Sequence, residues 1–272
     1  MGKKNQVCLT VLTIILICST SQAVIYYDDG GTHTISTGSN EIVVLDYNTA
    51  NDPGTHLELV DPGYLGNILT YNNSTALISG GNVFGTITLY DASVVTRSGG
   101  YFFGATGVAD HAKIIITGGM NFGSGVTAQD FGSIDFSEGK TQFIHAYGNA
   151  TITTSGGEFS TLEIYENATV NLIGDNLRVV DLNWNMTILS PGDNLSTLGT
   201  FVQEYGQQGR YEGTIVRTLQ DGTVLDTAFR IYNTGEFEGT AEITVIPEPA
   251  TLLLLGIGGL MLRKKRPFLA LS

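Results

Sequence analysis

Asp91, Asp110 and Asp130 are the acids whose spacing could bring carboxylates together. They recur at intervals of 19 and 20 residues. Two carboxyl groups about 5–9 Å apart can act as general acid and base on a glycosidic bond. Stacked carboxylates can also hold Ca²⁺ weakly. Polysaccharide chemistry would further ask for cations on the same face. Arg97, Lys113, Lys140 and Arg178 fall in four different places relative to the repeat and do not converge. His33, His56, His111 and His145 share neither a repeat position nor an i,i+4 spacing, and read as solvated surface residues. No HExxH, CxxC, GxSxG or P-loop pattern occurs, and no Gly-Gly-x-Gly-x-Asp calcium-roll pattern. The position of the three aspartates is held by Asn in other copies, which marks it as a turn. The residues predict no catalytic group and no cofactor; Ca²⁺ on Asp91, Asp110 and Asp130 is the one metal alternative.

The elements that would position these residues form an internal repeat. Pairs ending in Gly or Asp begin at Thr37, Pro62, Gly80, Gly99, Gly118, Glu138, Gly156 and Gly174. From Gly80 onward the intervals are 19, 19, 20, 18 and 18 residues; the first holds an insertion around 50–54. Eleven residues after each pair stands Asn48, Asn73, Asp91, Asp110, Asn149, Asn167 or Asn185, with the remaining copy offset by one at Asp130. Each period thus carries two turn signals, a Gly pair that permits positive φ and an Asn or Asp that tolerates the left-handed region. Short β-prone runs such as 114–117, 151–153 and 169–172 lie between them. A period near 19 is too short for a four-stranded propeller blade. The spacing predicts an all-β parallel β-solenoid over 24–184, with about eight turns stacked at roughly 4.8 Å. Phe84, Phe103 and Phe122 should then form a ladder. A Gly-rich antiparallel sandwich is the alternative. The Asn-x-Ser/Thr triplets at Asn73, Asn149, Asn167 and Asn185 read as turns entering strands rather than as glycan acceptors.

After Trp184 the register fades. Asp221-Gly222 between two alternating runs signals a hairpin, and 240–246 offers a last strand. The stretch 185–245 is expected to form a small antiparallel β cap over the open end of the stack.

Charge and cysteine use bound the surroundings. Lys3, Lys4 and a block of four cations near the C-terminus account for six of the 13 basic residues. Of the 26 acids only Glu248 lies outside 24–245, so that span holds seven cations and 25 acids, a net −18. Such a balance excludes nucleic acid and anionic surfaces as partners of this part. Both cysteines, Cys8 and Cys18, lie in an N-terminal segment with a charged start, an apolar run from Val7 to Cys18, and Ser21-Gln22-Ala23. This is a signal-peptide pattern over 1–23 with cleavage after Ala23. The exported chain then has no thiol and no disulfide.

The end of the chain has three parts in order: Pro247-Glu248-Pro249, an apolar run from Ala250 to Leu262, and Arg263-Lys264-Lys265-Arg266. The prolines keep the first part extended. A helix over the 13 apolar residues would span roughly 20 Å, short of about 30 Å of bilayer hydrocarbon. The cations would stop it on the cytoplasmic side and recover part of the shortfall by snorkelling, leaving 267–272 as a cytoplasmic tail. This order over 246–266 resembles the PEP-CTERM sorting signal. The resemblance implies exosortase as the processing partner, with cleavage near Pro247, Glu248 and Pro249. It also implies a bacterium that makes exopolysaccharide. The chain would pass through the inner membrane, then reach the cell surface or extracellular matrix. The expected function is therefore that of a non-enzymatic, exported surface protein. A polysaccharide lyase or hydrolase on the same scaffold is one alternative. A carbohydrate-binding protein using Tyr47, Tyr90, Tyr147 and Tyr165 is another.

Overall fold

The computed structural model describes residues 22–38, 40–48, 54–174, 177–203, 209–218, 224–232 and 239–246. The chain opens with β1 (Val24–Tyr27) and β2 (Thr32–Ile35). Next come β3 (Ile42–Leu45), β4 (His56–Leu59) and the short β5 (Tyr64–Leu65). The same triplet recurs as β6 (Asn67–Thr70), β7 (Thr75–Ile78) and β8 (Asn82–Val83), and as β9 (Ile87–Leu89), β10 (Val94–Arg97) and β11 (Tyr101–Phe102). Farther on the corners soften. The strands there are β12 (Thr106–Val108), β13 (Lys113–Asn121), β14 (Val126–Ala128), β15 (Ser133–Ala146), β16 (Thr151–Thr154), β17 (Glu158–Tyr165) and β18 (Thr169–Ile173).

These strands stack in parallel as a β-solenoid of about eight turns. Each regular turn has three sides, one more than the two turn signals per period suggest. On the first side Thr75, Val94, Lys113, Ser133, Thr151 and Thr169 follow one another in register. On the second, Ile68, Ile87, Thr106, Val126, Ile144 and Leu162 do the same. The third side is the narrow one, built from β5, β8, β11, the end of β13 and the middle of β15. Alternation along each strand sends one set of side chains inward. Val95, Ile114, Ile134, Ile152 and Val170 are buried on the first side, and Ile68, Ile87, Val126, Ile144 and Leu162 on the second. The core is thus a bundle of axial columns, each joining equivalent residues of successive turns.

The acid column is displaced by one residue in several copies. The left-handed position between the second and first sides is taken by Asn72 (φ 52°), Asp91 (58°), Asp110 (55°), Asp130 (58°), Gly148 (67°) and Glu166 (59°). Asn73, Asn149 and Asn167 stand one place later. Asp130, which looked offset, is in register. The left-handed site is held by Asp or Asn in four of these copies, by Gly148 in one and by Glu166 in one, so an Asn in the turn need not be the residue that takes it. The side chains add a second role. Asn72 N–H donates to Asp91 Oδ2 at 3.0 Å, and Asp91 N–H donates to Asp110 Oδ2 at 3.3 Å. Each carboxylate ties its turn to the one before.

The stack does not continue into 177–188. There β19 (Arg178–Val180) and β20 (Met186–Ile188) form an antiparallel pair, and Asn185 lies in the turn between them. A 3₁₀ turn (Leu195–Thr197), β21 (Thr200–Gln203) and β22 (Gly209–Thr218) follow. β22 pairs antiparallel with β19, with β21 and with β23 (Val224–Tyr232). The β22–β23 pairing bears out the hairpin, although its turn residues 219–223 lie outside the described ones. The expected antiparallel cap is corrected at its inner layer. β23 lies parallel to β17, and β24 (Glu242–Ile246) lies parallel to β18. The open edges of β17 and β18 each need a row of hydrogen-bond partners, and a parallel strand continues the existing columns: Phe229 and Ile243 are fully buried on top of Leu162 and Val170.

Among the described residues no helix is long and apolar enough to cross a membrane. The expected signal peptide up to residue 21, the apolar helix 250–262, the basic stop at 263–266 and the tail 267–272 all lie outside the described residues.

The turn geometry separates two glycines. Gly119 has φ +81°, and a Cβ there would sit 2.5 Å from the Gly99 carbonyl oxygen. Gly107, on the outer face of β12, would place its Cβ 3.7 Å from Thr88 Cγ2. Gly119→Ala should destabilise the stack by about 1–3 kcal/mol, whereas Gly107→Ala should be neutral or stabilising by up to about 1 kcal/mol. Urea denaturation of the two variants beside the parent checks the contrast.

Candidate functional site

Three places on the ectodomain gather chemically capable side chains. One is the turn column just described. Asp91, Asp110 and Asp130 stack on successive turns, and Asp91 and Asp110 each commit a carboxylate oxygen to a backbone N–H. No group of three or more His, Cys, Asp or Glu side chains among the described residues is arranged to hold a metal ion.

A second gathering lies at the capped end of the second side. His145 on β15, Glu163 and Tyr165 on β17 and Arg230 on β23 come together through the register His145, Glu163, Arg230. Arg230 Nη1 lies 2.5 Å from Glu163 Oε1, and Tyr165 OH donates to Glu163 Oε2 at 2.8 Å. His145 Nε2 is 3.5 Å from the same oxygen. Burial works against the charged form of Glu163, but the bonds from Arg230 and Tyr165 and the nearby positive charge outweigh it. The carboxyl is held below its ordinary value of 4.5. Burial lowers the His145 imidazole, partly opposed by Glu163. Burial and the bond to Glu163 push the Tyr165 phenol up. Glu163 is thus an ionised acceptor with both oxygens engaged. It latches the cap strand to the solenoid across 67 residues of sequence. Sequence reasoning missed this cluster because the contact between Arg230 and Glu163 has no local signature.

The tyrosines singled out from sequence fall into two ladders on this side. Tyr47, Tyr71 and Tyr90 form one, with ring centroids 5.1 and 4.9 Å apart. Tyr147, Tyr165 and Tyr232 form the other, at 4.3 and 4.4 Å. Tyr71 and Tyr90, and Tyr147, Tyr165 and Tyr232, stack face to face and Tyr165 is buried, whereas Tyr47 meets Tyr71 edge-on and is 55% exposed. Ala109 and Gln129 interrupt the column between them and border a shallow depression of about 290 Å³.

The third place is the narrow side. Phe84, Phe103 and Phe122 stack as expected, at 5.3 and 5.5 Å, and Tyr64 meets Phe84 at 5.8 Å. These rings lie outside, with Phe122 54% exposed. Beyond Phe122 the column continues into Gln142 and Ser160, and the surface sinks into a depression of about 400 Å³ lined also by Met120 and Lys140. Lys140 is paired with Glu158 at 2.6 Å.

Arg210 lies over the Tyr232 ring at 5.7 Å, whereas Arg97 and Lys113 are apart from all three. Arg97 is fully buried, its guanidinium 4.5 Å above the Phe102 ring and its Nε donating to Gly118 O, and burial pushes its pKa down to about 10. Lys113 pairs with Asp135. The histidines are likewise dispersed. His33 stacks on Tyr27, His56 bonds Thr75, and His111 stacks on Phe131.

The described residues form a β-solenoid, and the sequence that follows it carries a sorting motif. Residues 245–266 match the PEP-CTERM protein-sorting motif. The match marks the chain as a PEP-CTERM protein with a solenoid ectodomain, exported in a bacterium to the surface or extracellular space, with exosortase as its processing partner. No curated protein and no solved structure shows a significant match to the chain.

The Glu163 latch carries a pH dependence. Its lowered pKa means that the stabilisation is complete above pH about 4.5 and is lost as pH falls through the folded value. His145, also lowered, acts in the same sense below its ordinary 6.5, because the unfolded chain takes up its proton first. Glu163→Gln should cost about 1–3 kcal/mol at neutral pH and flatten the acid limb of the stability profile. Thermal melts of variant and parent from pH 7 to pH 3 measure both effects.

Proposed function

We propose that the ectodomain is a non-enzymatic structural or adhesive component of the cell surface or extracellular matrix, released to its destination by cleavage at Pro247-Glu248-Pro249. The sorting motif over 245–266, placed immediately after the last rung of a closed stack, carries this reading. The state of the polar groups supports it. Carboxylates of the turn column accept backbone bonds, and Glu163 is engaged by a cation and a phenol. A polysaccharide lyase or hydrolase would want an acid left free to exchange a proton with substrate. Replacing Pro247, Glu248 and Pro249 by alanine should leave a membrane-retained precursor in a host with exosortase. Equal processing of variant and parent, followed by immunoblotting of membrane and culture fractions, would sink the proposal.

The narrow side favours carbohydrate binding as a second reading. Its exposed Phe84, Phe103 and Phe122 lead into a depression that offers Gln142, Ser160 and Lys140, a combination of apolar platform and few polar groups usual for ligand sites. The acidic balance of the ectodomain disfavours anionic polymers and leaves neutral glycans as the matching class. Phe103→Ser combined with Phe122→Ser should abolish retardation of the protein in gels containing a neutral glucan. Undiminished retardation of the double variant counts against this site.

A further inference from the structure

The three most exposed large apolar side chains among the described residues, Trp184, Ile188 and Met186, lie together on one hairpin arm at the edge of the cap. Between β19 and β20 the chain turns at Asp181–Asn185, held by Asp181 carboxylate bonds to the N–H groups of Asn183 and Asn185 at 2.8 Å each. Trp184 stands in the left-handed region at φ 66° and is 87% exposed. Leu182, Met186 and Ile188 are exposed beside it, Ile188 at 73%. A soluble surface has no use for four such residues side by side. β20 pairs only with β19 among the described residues, so nothing there covers its other edge.

The arm also has a defined neighbour. The segment after β20 is bound to the last rung: Gly192 N–H donates to Val245 O at 2.7 Å, and Val245 N–H donates to Asp193 O at 3.0 Å. β24 ends one residue later, at Ile246. The apolar run of the tail begins at Ala250. Counted from Val245, five residues reach at most about 18 Å. The foot of the arm therefore lies within that reach of the point where the tail would enter a bilayer. Trp, Met, Ile and Leu, with Arg178 reaching Met186 Sδ at 3.9 Å from the facing strand, suit the boundary of a lipid phase, where an indole ring is favoured and a cation can stay at the headgroups. Asp181 in the turn and Asp193 at the foot of the arm, together with the acidic ectodomain as a whole, suit an uncharged lipid surface rather than an anionic one.

We propose that the arm formed by Leu182, Trp184, Met186 and Ile188 seats the cap on the lipid surface beside the tail while the precursor is anchored. Two contacts at one end of the rod, tail and arm, would restrict how the Pro-Glu-Pro segment is presented to the sorting enzyme. This inference rests on the reading of 245–266 as a membrane-inserted sorting segment.

Trp184 is the sole tryptophan of the chain, so its emission reports this site alone. The full chain is reconstituted with vesicles of phosphatidylcholine and phosphatidylethanolamine. Flotation reads the tail, and Trp184 emission reads the arm. We expect the protein to float, the emission to shift to the blue, and bromine-labelled lipid to quench it. Met186→Ser combined with Ile188→Ser should abolish the shift without changing flotation, since both side chains are exposed and carry no core packing. A protein that floats while Trp184 remains unshifted and open to acrylamide overturns the arm's role and leaves the sorting reading intact. Failure to float overturns the membrane-inserted reading and the arm with it. A shift seen only in membranes containing exosortase assigns the arm to a protein partner and overturns the lipid assignment.

Discussion

Every feature of this ectodomain depends on the parallel ladder between successive turns. A turn can join the stack only if its backbone N–H and C=O groups meet those of its neighbours in register. The chain must therefore return to the same azimuth after 18 to 20 residues, as the offsets Thr75–Val94, Lys113–Ser133 and Thr151–Thr169 show. Glycines and left-handed aspartates set the corners that make this return possible. A shift of one residue would send each inward side chain to the solvent. The column from Val95 to Val170 shows that no such shift occurs.

A ladder of this kind has open ends. At the C-terminal end the chain leaves the stack after β18, builds an antiparallel layer, and returns with β23 and β24 to lie parallel on β17 and β18. Glu163 and Arg230 fasten that return on one side, and Asn194 donating to Glu242 at 2.9 Å fastens it on the other. The charges that looked from their types like catalytic material are thus used mainly to join one turn to another. The sites left for partners are apolar: the aromatic strip on the narrow side and the arm at Trp184, both on surfaces the ladder does not consume.

The repeat was legible because its signals are local and periodic. Gly pairs and turn residues recur at a fixed interval, and stacking makes that interval visible in the chain. The displaced column shows the limit of such reading. Asn73, Asn149 and Asn167 look equivalent to Asp91, but the left-handed position in those copies belongs to Asn72, Gly148 and Glu166. Residue type marks a turn to within one place, and the backbone conformation selects the place.

The chain's pattern alone sufficed for the parallel solenoid over its middle, for the Phe84–Phe103–Phe122 ladder and for the sorting segment at 246–266, since each is written in neighbouring residues or in a constant spacing. The closing of the stack was not written that way. Pairing of Leu162 with Phe229 and of Val170 with Ile243 joins segments separated by a hairpin and a cap, with no period to announce it. The same holds for the bond from Arg230 to Glu163, for the outward placement of the phenylalanines and for the exposure of Trp184. These follow from which edges the finished stack leaves open, and an edge exists only once the turns have been assembled.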